Sequence, residues 1–401
     1  MASPLFSIVI PTYNRSDLVQ DAVRSVLAQS FEDHEVVVSD NCSEDDTRAI
    51  VESFTDKRVR YVRTPRHTSI ADSWEFARSQ ARGRLMMTLS DDDALVQGAL
   101  ARFDEEHRRH GADFLFCNLA EYRDRSFVGP DQNVVSCGPF SGSARTVTRE
   151  EFLRPLFGIR AKFNMHPSAF IVSTDIAARI AARCGRFFAS NGVEYFAWPL
   201  SAIHATAMVH IDAPLVILGR TFKSWGSTIV LTNPGKEHID KMIADVEHRR
   251  DWVPLKNFTL TNLIAEGLLL SKKMFPEELA PYPFDEQEYL RRTVRELRGR
   301  QALGVDVAKE LCEALTYAKK YPDLATELAA PPRQTLTGEQ SPVRQLARTL
   351  RLNRVRNRVG ALSRNRKIRR GDVKTGFLAS GADFGFTDAL GCAEFVARVT
   401  Q

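Results

Sequence analysis

Leu85-Met86-Met87-Thr88-Leu89-Ser90-Asp91-Asp92-Asp93-Ala94-Leu95 is the stretch that decides the fold. Its first five residues form a short apolar run after Gly83, with the length and composition of a buried strand. Three carboxylates follow at the strand's C-terminal end. Neighbouring like charges raise one another's pKa, so such a cluster is costly unless positive charge or a proton relieves it. Carboxylates are hard oxygen ligands for Mg2+ or Mn2+, ions that usually arrive with substrate phosphates. The cluster therefore points to a metal–diphosphate site at the edge of an open α/β sheet. The competing reading is a solvated acidic turn.

The upstream residues favour the first reading. Phe6-Ser7-Ile8-Val9-Ile10 is a strand run, ended by the turn chemistry of Pro11-Thr12-Tyr13-Asn14-Arg15. A helix is predicted from Ser16, a good N-cap, with Leu18, Val19, Ala22, Val23, Val26 and Leu27 at helical spacing. A second strand over residues 35–39 closes at Asp40-Asn41-Cys42-Ser43. A helix over about 45–54 and a third strand over 59–62 come next. The order β-α-β-α-β-α-β predicts an α/β protein with a doubly wound parallel sheet. Ligands of such sheets sit outside the carboxyl ends of the strands, where Tyr13, Asp40 and Asp91 to Asp93 all fall.

Three motifs in order, Ile8-Val9-Ile10-Pro11-Thr12-Tyr13-Asn14-Arg15, Val38-Ser39-Asp40-Asn41-Cys42-Ser43-Glu44-Asp45-Asp46-Thr47 and Asp91-Asp92-Asp93-Ala94-Leu95, resemble the family 2 glycosyltransferases of GT-A fold. The resemblance is strong over residues 5 to about 100 and weaker to about 230. It implies a GT-A-type doubly wound, mostly parallel sheet with a helical C-terminal extension. It also implies a nucleotide-sugar donor, usually UDP-linked, with Pro11, Tyr13 and Asp40 around the nucleobase and Asn14 and Arg15 in the same donor-binding turn. Aligned on the family pattern Leu-Asp-Ser-Asp-Asp-x-Leu, Asp92 falls on the sugar nucleotide and Asp93 on the metal, Mg2+ or Mn2+. The first acid of the pattern becomes Ser90, or the register shifts and Asp91 takes it. Many members carry an Arg-Asn pair between the third strand and the acids. This chain has Ser69-Ile70-Ala71-Asp72-Ser73-Trp74-Glu75 instead, similar to a subgroup with Asn/Asp-x-Trp at the start of that helix. Asp72 either touches the donor or serves as an N-cap or first-turn acid. Trp74 reads as core.

The acceptor half begins beyond residue 100. Residues 161–172 read as a loop entering a strand, and Cys184-Gly185-Arg186-Phe187-Phe188 leads to Asn191-Gly192-Val193-Glu194. By resemblance, Glu194 is the general base, a carboxylate placed to take the acceptor hydroxyl's proton. The competing role is an acid at a helix N-terminus. His166 is a candidate contact to the acceptor or the diphosphate, although a lone His before Pro is often structural. His204 and His210 carry no assignment. Residues 209–219 resemble the family's closing strand. The polar loop after it, Lys223-Ser224-Trp225-Gly226-Ser227, contains two further candidate contacts, Lys223 and Trp225, or is a surface connection.

At 401 residues the chain is long enough for two or three units. The expected division is a GT-A domain over 1–230, a helical extension over 231–330, a linker over 331–342 and a basic amphipathic segment over 343–401. In the helical extension Met242, Val246, Leu263, Ile264, Leu268 and Leu269 are spaced for packing. Residues 341–370 hold ten Arg and Lys367 with no acid, so the other 371 residues are net −6 against a whole-chain charge of +5. Apolar residues recur among these arginines, a pattern expected of a helix on an anionic membrane surface. The competing reading is a solvated basic arm. No nucleic-acid partner is expected, since neither a recognition fold nor aromatic interleaving is present.

The six scattered cysteines show no metal-like spacing and read as reduced thiols. Without a signal peptide or an 18-residue apolar run, the chain is expected in the cytoplasm, peripheral to the inner membrane face. The sequence reading is an inverting, metal-dependent enzyme of glycan or cell-surface polysaccharide biosynthesis. It would move a sugar to a hydroxyl of a glycan or lipid-linked acceptor, with homo-oligomerisation open. The alternatives are a nucleotidyltransferase, disfavoured by the missing Gly-rich loop, and a catalytically silent GT-A-like scaffold at the membrane surface.

Overall fold

The structure, a computed structural model, describes residues 3–127, 131–190, 192–224, 252–257, 259–302, 304–330, 365, 367–369 and 372–400. Four short apolar runs form its parallel half: β1 (Phe6–Thr12), β2 (His34–Asp40), β3 (Val59–Arg63) and β4 (Leu85–Thr88). β1 pairs parallel with β2 and β4, and β2 with β3. Every residue of β1, β2 and β4 is buried, as apolar strands covered on both faces should be. Helices α1 (Ser16–Leu27), α2 (Thr47–Glu52) and α3 (Ile70–Ser79) connect them.

Past β4 the sheet becomes mixed. It takes in β5 (Ala94–Leu95), β6 (Phe114–Arg123), β7 (Val134–Cys137), β8 (Ala144–Val147), β9 (Phe170–Ser173) and β10 (Met208–Arg220). β9 lies between β4 and β6 and runs antiparallel to both, while β10 runs parallel to β6 and antiparallel to β5 and β8. This reversal matters for the site. The C-terminal end of β4, where the acids lie, neighbours the N-terminal end of β9, so the turn before β9 can reach them. Helices α4 (Ala99–His110), α5 (Arg149–Phe157), α6 (Thr174–Cys184) and α7 (Val193–His204) complete this part.

The expected helical region contains α8 (Leu260–Met274), α9 (Glu286–Ala302), α10 (Ala308–Ala318) and α11 (Pro322–Ala329). Leu263 and Leu268 are buried and Ile264 and Leu269 half-buried; Met242 and Val246 lie outside the described residues. Leu268, Tyr289 and Leu290 join the apolar core of the sheet. The chain then returns. β11 (Phe377–Ser380) adds to β7 antiparallel, followed by α12 (Gly381–Phe384) and α13 (Ala389–Thr400). Phe386, Phe395 and Val396 form a second core with Val96, Tyr122 and Ile217. The chain end is therefore built into the sheet. Most of the basic stretch 341–370 lies outside the described residues, and among those described no helix is long and apolar enough to cross a membrane.

Two local expectations change. The N-cap of α1 is Arg15 rather than Ser16, because Asp45 reaches across the loops and its carboxylate accepts the Ser16 N–H at 3.0 Å. α2 starts at Thr47 rather than near 45, because Asp45 forms a local turn and accepts the Thr47 N–H and hydroxyl at 3.1 and 2.5 Å.

Candidate active site

Asp91, Asp92 and Asp93 are all buried at the C-terminal end of β4. Four donors from distant parts of the chain hold them. Arg15 donates to Asp91 at 2.7 Å and stands 3.8 Å from Asp92. The Ser224 hydroxyl donates to Asp92 at 2.6 Å. Asp93 accepts the Ser168 hydroxyl at 2.6 Å on one oxygen and the Gly219 N–H at 2.8 Å on the other. Burial raises the Asp91 pKa, opposed by Arg15 and assisted by Asp92. Burial, followed by the Asp92 charge, pushes Asp93 well above the ordinary carboxylate range. Burial works against the charge of Arg15, but Asp91 and Asp92 outweigh it and hold its pKa above the ordinary value. The turn is thus an under-neutralised negative centre, not a solvated surface feature.

β10 brings its last residues against these acids. At Gly219 a Cβ would fall 1.8 Å from the Asp92 carbonyl oxygen, so only glycine allows this approach. The next residues wrap the rim. Lys223 accepts from Arg15 through its carbonyl and pairs with Asp17 at 2.7 Å through its ammonium. Phe222 is exposed beside them. Trp225 lies outside the described residues.

The β1 and β2 loops form the neighbouring end. Pro11 is buried in β1, and Tyr13 is exposed with its ring centroid 4.3 Å from that of His67. Asn14 has φ 51°, a left-handed conformation asparagine tolerates. Its N–H donates to Ser43 Oγ at 2.9 Å and its side-chain oxygen accepts the Glu44 N–H at 2.8 Å. Asp40 is fully buried; it accepts the Ser43 N–H at 2.8 Å, the Tyr61 hydroxyl at 2.5 Å and Arg63 at 3.2 Å. Asn41 ties in the 64–68 loop by donating to the Thr68 carbonyl and accepting the Thr68 N–H at 3.0 Å.

On α3, Ser69 is the N-cap and accepts the Asp72 N–H at 3.2 Å; the Asp72 carboxylate pairs with Arg186. Glu75 accepts the Phe187 and Phe188 N–H groups at 2.9 and 3.0 Å, and Trp74 packs edge-on against Phe188. Glu194 occupies the first turn of α7, half-buried, and burial pushes its carboxyl up to about 7. Among the described residues no hydrogen bond or ion pair links Glu194 to the acid turn. The structure thus brings Arg15, Asp91, Asp92, Asp93, His166 and Lys223 together. It places Asp40, Asn14 and Tyr13 in the adjoining loops and Asp72 and Glu194 on separate helices.

His166 stands on the turn before β9 with Nδ1 3.4 Å from Asp93 Oδ2, unaligned for a hydrogen bond. Burial lowers its pKa to about 4, so the ring is neutral and Nδ1 has no hydrogen-bond partner. A buried carboxylate that needs positive charge fits Mn2+ or Mg2+, and the unpartnered neutral imidazole nitrogen beside it would favour Mn2+ of the two. Among the described residues no three His, Cys, Asp or Glu side chains gather as a cage. Such an ion would therefore take its other ligands from a diphosphate and water, as Mg2+ commonly does.

The sequence alone gives Ser168, Gly219, Ser224 and Asn41 no functional role. Ser168 and Gly219 are 75 and 126 residues from Asp93, and only the strand pairing of the folded sheet brings them together.

Residues 7–178 match the family model described as Glycosyl transferase family 2. A GalNAc(5)-diNAcBac-PP-undecaprenol beta-1,3-glucosyltransferase of Campylobacter jejuni is 35% identical over 101 residues, 24% of this chain and 33% of that protein. The UDP-Glc:alpha-D-GlcNAc-diphosphoundecaprenol beta-1,3-glucosyltransferase WfgD of Escherichia coli is 28% identical over 125 residues, 31% of this chain and 49% of that protein. The matched stretch thus spans a third to a half of these relatives. Among solved structures, TarS of S. aureus (residues 1–349, with UDP-GlcNAc) is a distant likeness. Its TM-score is 0.45 at 18% identity, covering 80% of this chain and 92% of that one.

Proposed function

Residues 7–178 belong to glycosyl transferase family 2, and from that premise we propose that the chain is an inverting, metal-dependent transferase that moves a sugar from a nucleotide sugar, UDP-linked, to an acceptor hydroxyl. The observation that carries the reading is the buried acid turn at the end of β4, whose charge is offset, among the described residues, by Arg15 and a few dipoles. Asp93 and His166 would hold Mg2+ or Mn2+, which would neutralise charge on the departing diphosphate. Asp92 would meet the sugar nucleotide. Pro11, Tyr13, Asn14 and Asp40 would surround the base, with Tyr13 as the exposed aromatic face. Arg15 and Lys223 line the same rim, where cations favour a diphosphate.

Glu194 is the general base in this reading. A carboxyl titrating near 7 is ionised in a useful fraction at neutral pH yet basic enough to accept a proton. The acceptor oxygen bonds to the anomeric carbon as the bond from that carbon to the diphosphate oxygen breaks, and the hydroxyl proton passes to Glu194. One displacement inverts the anomeric centre. Two of the relatives are named for undecaprenyl diphosphate-linked acceptors. A lipid-linked acceptor at the cytoplasmic membrane face suits this chain too, with residues 341–370 holding it to anionic lipid.

A thermal-shift screen of nucleotide sugars, with and without Mn2+, tests the proposal, because a ligand of the native state raises apparent stability. UDP-sugars should raise the melting temperature more with Mn2+ than without. No shift with any nucleotide would leave the silent-scaffold alternative standing.

A further inference from the structure

We propose that Ser168 is a positioning residue for the donor site, fixing the Asp93 carboxylate for the divalent cation that accompanies a diphosphate. This rests on the donor-site reading above and adds to it a residue that the motifs do not contain. Ser168 is fully buried in a single 3-10 turn, Pro167–Ala169, at the N-terminal end of β9. Its hydroxyl has one hydrogen, and its surroundings settle where that hydrogen goes. The Ser90 N–H donates to Ser168 Oγ at 3.0 Å, so the hydroxyl hydrogen points onward to Asp93 Oδ2 at 2.6 Å. Ser90 belongs to the acid turn itself. One hydroxyl therefore spans the turn, accepting from its first residue and donating to its last.

The second oxygen of Asp93 is held by the Gly219 N–H of β10. Two donors, one on the turn before β9 and one on β10, thus fix the plane of the carboxylate, and each oxygen keeps a lone pair for a cation. The same turn carries His166, whose Nδ1 lies 3.4 Å from the oxygen that Ser168 engages. Ser168 links the two groups that would meet the cation. Groups that orient metal ligands typically contribute about 10- to 100-fold in metal affinity.

A purely structural Ser168 would only satisfy the Ser90 N–H. Calorimetric titration of UDP into the full chain separates the roles, run in Mn2+ and in EDTA on wild type, Ser168→Ala, Asp93→Ala and the double variant. Ser168→Ala should weaken UDP binding in Mn2+ by about 10-fold or more. Binding in EDTA should be unchanged, which also shows that the variant folds. In the Asp93→Ala background the same substitution should add no loss. Equal losses in Mn2+ and EDTA, equal losses in both backgrounds, or no loss at all would overturn the proposal. If wild type binds UDP equally with and without Mn2+, the metal-dependent donor site fails and this inference with it. A Mn2+-dependent wild type with an indifferent Ser168→Ala fails the inference alone.

Discussion

Glu194→Gln should make the protein more stable and less active, with both effects set by one titration. Burial pushes the Glu194 carboxyl from an ordinary 4.5 to about 7. A carboxyl whose folded pKa is raised contributes stability that is complete below its unfolded pKa and is lost as pH rises through the folded one. At about 1.4 kcal/mol per unit, the ionised side chain costs the fold about 3 kcal/mol above pH 7, an upper bound because the group is half-buried. Glutamine keeps the shape and never ionises. Urea unfolding of wild type and variant should therefore diverge with pH, the variant gaining roughly 2 kcal/mol between pH 5.5 and 8.5. Turnover should move the other way. The wild-type rate should climb with pH and level off above about 7, and the variant should lose that limb with a roughly 10²- to 10⁴-fold fall in kcat. Donor binding should persist. If the variant is equally stabilised at both pH values, the carboxylate does not carry the burial cost. If turnover keeps its acidic limb, the base is another acid of the acceptor half.

Further outcomes follow from other contacts. Asp40→Ala should weaken UDP by roughly 1.5–3 kcal/mol and relax the preference for uracil. Unchanged UDP affinity with lowered stability would show that Asp40 serves only its Ser43, Tyr61 and Arg63 partners. Gly219→Ala drives a Cβ into the Asp92 carbonyl, so it should cost about 1–3 kcal/mol in urea unfolding and disable transfer; normal stability would contradict that approach of β10. Replacing Arg344, Arg348, Arg351 and Arg354 by Gln should weaken sedimentation with anionic vesicles, at about 1 kcal/mol per charge, and leave UDP binding intact. Substitution is the test rather than removal of the C-terminal residues, because β11 pairs with β7 and α13 packs in the second core. Unchanged sedimentation would remove the membrane role.

The parts of the fold that could be read from sequence are those whose physics is local. β1, β2 and β4 are apolar runs ended by turn residues, and the acids behind β4 have to go somewhere costly. Those two facts give the parallel half and put the acids at the C-terminal end of β4. Long-range pairing could not be read this way. Phe377–Ser380 is four residues long, too short to announce that it joins β7. Ser16 looks like a cap, yet Asp45 does the capping from another loop. A serine before a strand gives no sign that its hydroxyl reaches Asp93, because that contact exists only once β9 runs antiparallel to β4. Lys223 illustrates the same limit. Its charge goes to Asp17, and its carbonyl serves Arg15.

The central claim, that the acid turn holds a metal-bound nucleoside diphosphate, is tested most directly by calorimetric titration of UDP into wild type and Asp93→Ala, each with Mn2+ and with excess chelator. The account predicts that Mn2+ tightens UDP binding to wild type and that Asp93→Ala retains only the weaker, metal-independent binding. Equal affinity in all four titrations, or no binding in any, would contradict it.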